Sequence, residues 1–110
     1  MRITYFPQRS DRAVSYTFDG EAITATLDGV TDTFDFSNLP DGEAAEIIST
    51  LDPCPVLSAK RMNGELQVAL LRAIGPRPQP QDYETPEDYQ AALDAWRRLW
   101  TDDLEVVIDG

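Results

Sequence analysis

The sequence predicts an α+β fold: antiparallel β-hairpins forming a mostly antiparallel sheet, covered by one C-terminal amphipathic helix. Three observations carry this. Apolar and polar residues alternate through much of the first forty positions. Asn63-Gly64 lies between two further alternating runs, and a helical stripe of aromatic residues follows a proline-rich stretch. At 110 residues the chain has the size of one domain. Residues 1–74 read as the hairpin sheet, 75–84 as a linker, and 85–110 as a helix and a final strand.

Ile3 and Tyr5 alternate with polar neighbours before the turn-rich Pro7-Gln8-Arg9-Ser10-Asp11. Val14, Tyr16 and Phe18 repeat the pattern, as do Ile23, Ala25 and Leu27. Asp19-Gly20 and Asp28-Gly29 separate the successive strands, and Asp-Gly accepts the positive φ angles of a tight hairpin turn. Pairing across Asp28-Gly29 sets Leu27 opposite Val30 and Ile23 opposite Phe34, with Asp32 breaking the apolar face near water. The stretch Glu43 to Thr50 mixes helix and strand formers and reads as a short turn leading into a strand. Leu51-Asp52-Pro53-Cys54-Pro55 reads as an extended loop, because proline disfavours helix at the residue before it.

Asn63-Gly64 is the strongest hairpin signal in the chain. It sets Arg61 opposite Leu66, Lys60 opposite Gln67, Ala59 opposite Val68 and Leu57 opposite Leu70. One continuous sheet is expected, with an apolar face from Ile23, Phe34, Leu57, Val68 and Leu70 that needs a cover. Alternating prolines at Pro76, Pro78 and Pro80 make the linker stiff and extended. Thr85-Pro86-Glu87-Asp88 then starts a helix: a hydroxyl cap, a proline in the first turn, and acids at the positive helix end. Tyr89, Leu93, Trp96 and Trp100 recur at helical spacing, opposite Gln90, Asp94 and Arg97, and Asp94 can pair with Arg97 or Arg98. Trp96 is expected to pack on the chain's own sheet. Leu104 to Ile108 reads as the last strand.

Composition narrows the function. Hydrophobic residues make up 42% of the chain, too many for a disordered one. No apolar run approaches the roughly 20 residues of a membrane helix. Met1-Arg2-Ile3 enters strand-like sequence directly, without signal-peptide anatomy, so export is not expected. A formal charge of -11 repels phosphate backbones and anionic membranes, and no nucleic-acid or membrane partner is predicted.

With no histidine, the commonest general base and imidazole metal ligand are missing. One cysteine, Cys54 between two prolines, reads as a small packing residue rather than a nucleophile. No glycine pattern matches a phosphate loop. Asp28, Asp32 and Asp35 sit around one hairpin, with Asp41 and Glu43 just beyond it, but they lack calcium-loop spacing. No catalytic residue, cofactor or metal site is therefore expected, and the chain reads as a non-enzyme. The candidate partner-binding residues are Tyr89, Trp96, Trp100, Val106 and Ile108: aromatic side chains that could dock or stack, and a strand that could add to a partner's sheet.

Two stretches are familiar. Ile3-Thr4-Tyr5-Phe6-Pro7-Gln8-Arg9-Ser10-Asp11 and Asp32-Thr33-Phe34-Asp35-Phe36-Ser37-Asn38-Leu39-Pro40-Asp41-Gly42 resemble small uncharacterised proteins encoded among tail genes of tailed phages and prophages. The Asn63-Gly64-Glu65-Leu66 hairpin and the strand into Gly75-Pro76 share that layout, so the resemblance spans the first three quarters of the chain. The helix departs from it. The resemblance implies a structural, accessory or assembly role near the tail, a protein partner such as a tail component, and a location in the bacterial cytoplasm or on the virion. It carries no catalytic residue across. The alternative is a small-ligand or carbohydrate-binding module using exposed aromatic residues.

Overall fold

A computed structural model describes residues 1–44 and 47–108. It contains strands β1 (Arg2–Arg9), β2 (Val14–Asp19), β3 (Ala22–Leu27), β4 (Val30–Asp35), β5 (Gly42–Glu43), β6 (Val56–Met62), β7 (Glu65–Ile74) and β8 (Glu105–Val107), with helix α1 (Pro86–Arg98) between the last two strands. The fold is α+β, and two sheets replace the single sheet expected. One is mixed, in the order β5-β6-β7-β1-β8; the other is an antiparallel meander, β2-β3-β4.

The division turns on β1. Its alternation marks it as a strand but names no partner. It runs through Pro7 and pairs in parallel with β7 from Arg2 beside Gln67 to Arg9 beside Ile74, not with its neighbour β2. On its other side it pairs antiparallel with β8, Ile3 beside Val106. The Tyr5 amide donates to the Leu104 carbonyl on that side. Alternation turns residue 7 the same way, beyond the end of β8, and there proline has no N–H to leave unpaired. The expected break at 7–11 thus shrinks to the residues between β1 and β2.

The meander follows its turns. Asp28 and Gly29 hold φ of 50° and 86°, and Leu27 pairs with Val30, Ile23 with Phe34. Asn63 and Gly64, at 52° and 82°, join β6 to β7. Arg61 pairs with Leu66 and Ala59 with Val68, but an irregularity between Val56 and Ser58 puts Val56, not Leu57, beside Leu70. The extra residue inverts the alternation, so Val56 is buried and Leu57 is 48% exposed.

The two sheets bury their apolar faces against each other. Ile23, Ala25, Leu27 and Phe34 from the meander join Ile3, Leu66, Val68 and Leu70 from the mixed sheet in one cluster. The meander is therefore the cover that the helix was expected to supply. Any one of these leucines or isoleucines contributes about 1.5–3 kcal/mol by leaving water.

Arg61 joins the layers at one end. Its guanidinium donates to both Glu21 carboxylate oxygens at 3.0 Å and to the carbonyls of Phe36, Leu39 and Gly64. Every donor direction is used, so the half-buried charge is fully compensated. The Arg61 hydrogen bonds hold the Glu21 carboxyl below its usual range.

Residues 47–49 form no regular element, and β5 is the only strand in the described part of 43–50. Ala45 and Glu46, also within that expected turn and strand, lie outside the described residues. Asp32 is not merely wetted: its carboxylate accepts from Ser49 Oγ at 2.9 Å and the Thr50 amide at 3.0 Å. That amide, then the Ser49 hydroxyl, depresses its pKa. Among the described residues, no helix is long and apolar enough to cross a membrane.

Candidate functional site

After β7, Gly75 to Gln79 carries no regular structure, and Pro80–Asp82 closes a single 3-10 turn inside the expected linker. Thr85 caps α1 by accepting the Asp88 amide at 3.1 Å, with Pro86 in the first turn and Glu87 and Asp88 at the positive end. The helix ends at Arg98 rather than Trp100. The Leu99, Trp100 and Thr101 amides tighten onto carbonyls three residues back, and Asp103 turns left-handed at φ 53°. Asp94 accepts from Gln90 Nε2 at 2.9 Å instead of pairing with an arginine.

The helix does not lie across a sheet face. It is held at the end of β7 by two polar contacts. Trp96 Nε1–H donates to the Gly75 carbonyl at 2.9 Å. Arg72 donates to the carbonyls of Leu99 (3.1 Å), Asp102 (2.6 Å) and Asp103 (2.7 Å), where a cation also suits the negative helix end. The same guanidinium lies 4.8 Å over the Tyr5 ring. Of the helix residues, Leu93 alone is fully buried. Principal extents are 53 × 27 × 21 Å. The radius of gyration is 16.3 Å, where a compact chain of this length would give about 13 Å. The segment from the linker to the end of α1 stands off the two-sheet body as an arm.

The five candidate residues do not converge. Trp96 and Trp100 meet edge to face at 5.9 Å and are both half-buried. Trp100 Nε1 is enclosed without an acceptor. Val106 and Ile108 pack against the core cluster, and the Ile108 amide donates to the Met1 carbonyl, so these two serve the sheet. Glu105 and Val107 are the β8 residues that face out, Val107 at 68% exposure. Tyr89 sits elsewhere, 6.0 Å from Tyr83 at 51°. With Pro80, Glu84, Thr85 and Pro86 they line an open groove of about 310 Å³.

A second groove, of about 330 Å³, lies where the sheets part, lined by Tyr5, Val14, Tyr16, Leu71 and Arg72 among others. Burial, then the nearby Tyr5, raises the Tyr16 phenol, whose hydroxyl is committed to the Leu71 carbonyl. It is a donor there, not a base. Of the acids around this hairpin and just beyond it, Asp28, Asp32, Asp35 and Asp41 accept hydrogen bonds from within the chain. Asp28 accepts from the Ala13 amide (2.7 Å) and Arg12, Asp35 from the Ser37 amide (2.9 Å), and Asp41 from the Gly64 amide (3.4 Å). Each of the first two is depressed in pKa, chiefly by the amide it accepts. Cys54 Sγ–H donates to the Val56 carbonyl at 3.3 Å and packs against the core.

Sequence reasoning missed Arg61, Arg72 and Tyr83. The two arginines carried a usable signal: Arg61 continues the inward alternation of Ala59, and Arg72 that of Leu66, Val68 and Leu70. A cation at an inward position needs partners. Tyr83 lies outside any periodic run and gave none. No family model, no curated protein and no solved structure matches the chain.

Proposed function

We propose that this chain is a non-enzymatic protein-interaction module, a phage- or prophage-derived component with a structural, accessory or chaperone-like assembly role near the tail. The tail assignment rests on the resemblance of the first three quarters of the chain. The observation that carries the interaction reading is the arm: a capped helix held to the body through Arg72 and Trp96, presenting half-buried aromatic side chains and Leu99 at 46% exposure. Such a projection suits insertion into another protein's surface. The small-ligand or carbohydrate reading is the weaker one. Trp96 and Trp100 are spent on each other and on Gly75, which leaves no flat indole platform for a sugar.

Mass spectrometry of purified tailed particles, and of tail-protein complexes in the lysate of the producing host, tests the assignment. Presence in particles supports the structural form, and a lysate-only complex with a tail protein supports the chaperone form. A chain absent from particles and free of every tail protein would refute the reading.

A further inference from the structure

The groove between Tyr83 and Tyr89 has a chemistry that names its occupant. From Pro78 to Trp96 the sequence contains Asp82, Glu84, Glu87, Asp88 and Asp94 and no lysine or arginine. Two phenol rings and two prolines wall the groove, and Glu84 is the one charged residue among its lining. Glu84 is exposed and both tyrosines are partly exposed, and all three line the groove. Among the described residues, Glu84 forms no ion pair within the chain. An anionic occupant would meet this field unfavourably, and so would a second copy carrying -11. A cation on an apolar stem fits: rings attract it within about 6 Å of their centroids, and the carboxylate completes the pairing. The chain already makes this contact once, with Arg72 over Tyr5 at 4.8 Å.

We propose that the groove of Tyr83, Tyr89 and Glu84 receives an arginine side chain from a basic segment of the protein partner. This rests on the interaction reading above and supplies the partner's chemistry. The stem lies along Pro80 and Pro86, the guanidinium stacks on a tyrosine face, and Glu84 accepts its hydrogen bonds. Arginine is favoured over lysine because a planar guanidinium can stack and pair at once.

The test is titration of the full-length chain with a short peptide of alternating arginine and glycine, followed by amide and ring chemical shifts. Citrulline and lysine versions of the peptide are run in parallel. Shifts centred on Tyr83, Glu84 and Tyr89 are expected, with affinity in the order arginine, lysine, citrulline. Tyr83→Ala should weaken binding about fivefold and Glu84→Lys about tenfold or more. Asp11→Lys, the same charge change at an exposed site on the body, should change it less than twofold at moderate salt. Equal losses in Asp11→Lys and Glu84→Lys would show attraction to net charge alone and overturn the proposal, as would equal affinity for citrulline. A chain that binds a tail protein undiminished after both groove substitutions would also overturn it, while leaving the interaction reading intact. Arginine binding by a chain with no tail partner would support the groove assignment and refute the tail assignment.

Discussion

Arg72→Met is the sharpest test of how the arm is held. Methionine keeps an unbranched stem beside Tyr5 and removes every donor. Three hydrogen bonds to the Leu99, Asp102 and Asp103 carbonyls are lost, together with the contact over the Tyr5 ring. The site is only partly buried, so water can replace the guanidinium at the carbonyls, and each bond is worth about 1 kcal/mol net. The ring contact adds about 0.5 kcal/mol, and releasing the ordered arginine returns about 1.5 kcal/mol of side-chain entropy. The balance is a loss of about 2 kcal/mol, or about 30-fold in the docking equilibrium. A helix as short as α1 is marginal in water on its own, so undocking exposes its amides. Native-state hydrogen exchange should show protection in α1 falling about 30-fold, while the β3 and β7 amides keep theirs. Unchanged protection in α1, or loss spread evenly over both sheets, would refute this account of the clamp.

Three further outcomes follow from the body. Glu21→Gln should flatten the acid limb of the stability profile: the depressed Glu21 carboxyl contributes stability that is full above its unfolded pKa and lost as pH falls through the lower folded value. Thermal midpoints measured across that range check it, and parallel curves for the two proteins would count against it. Gly64→Val forces a β-branched residue to φ +82° and should destabilise by about 1 kcal/mol or more in denaturant unfolding; an unmoved midpoint would contradict the assigned turn. Moderate salt should raise the thermal midpoint by screening a net charge of -11, and a fall would mean that pairs such as Arg61–Glu21 outweigh the general repulsion.

The legible parts of the fold are those where local chemistry decides geometry. Asp28-Gly29 and Asn63-Gly64 fix their turns through permitted φ angles, and Thr85-Pro86 fixes the helix start through a cap; each lies within a few residues of what it determines. Partner choice beyond the hairpins was not legible. Ile3 and Tyr5 look alike whether β1 meets β2, β7 or β8, because alternation specifies a face and not a neighbour. Leu57 was misplaced since a one-residue irregularity leaves no mark in an otherwise regular pattern. The aromatic stripe of α1 told that one side would be sheltered. It could not tell that Trp96 would find the Gly75 carbonyl instead of a sheet, as that depends on where the linker delivers the helix.

The interior position of β1, between β7 and β8, has a consequence for how the chain is made. β1 leaves the ribosome ahead of every other strand of its sheet, and its two neighbours there are encoded about sixty and a hundred residues later. The meander β2-β3-β4 needs only local closures and can form as soon as it emerges. β1 must wait, its alternate apolar residues exposed, until β7 arrives to zip alongside it. During that interval it is the segment most open to capture by a holding factor or by a second nascent chain. Pro7, by removing an amide from its exposed edge, shortens the stretch on which such a wrong strand could build.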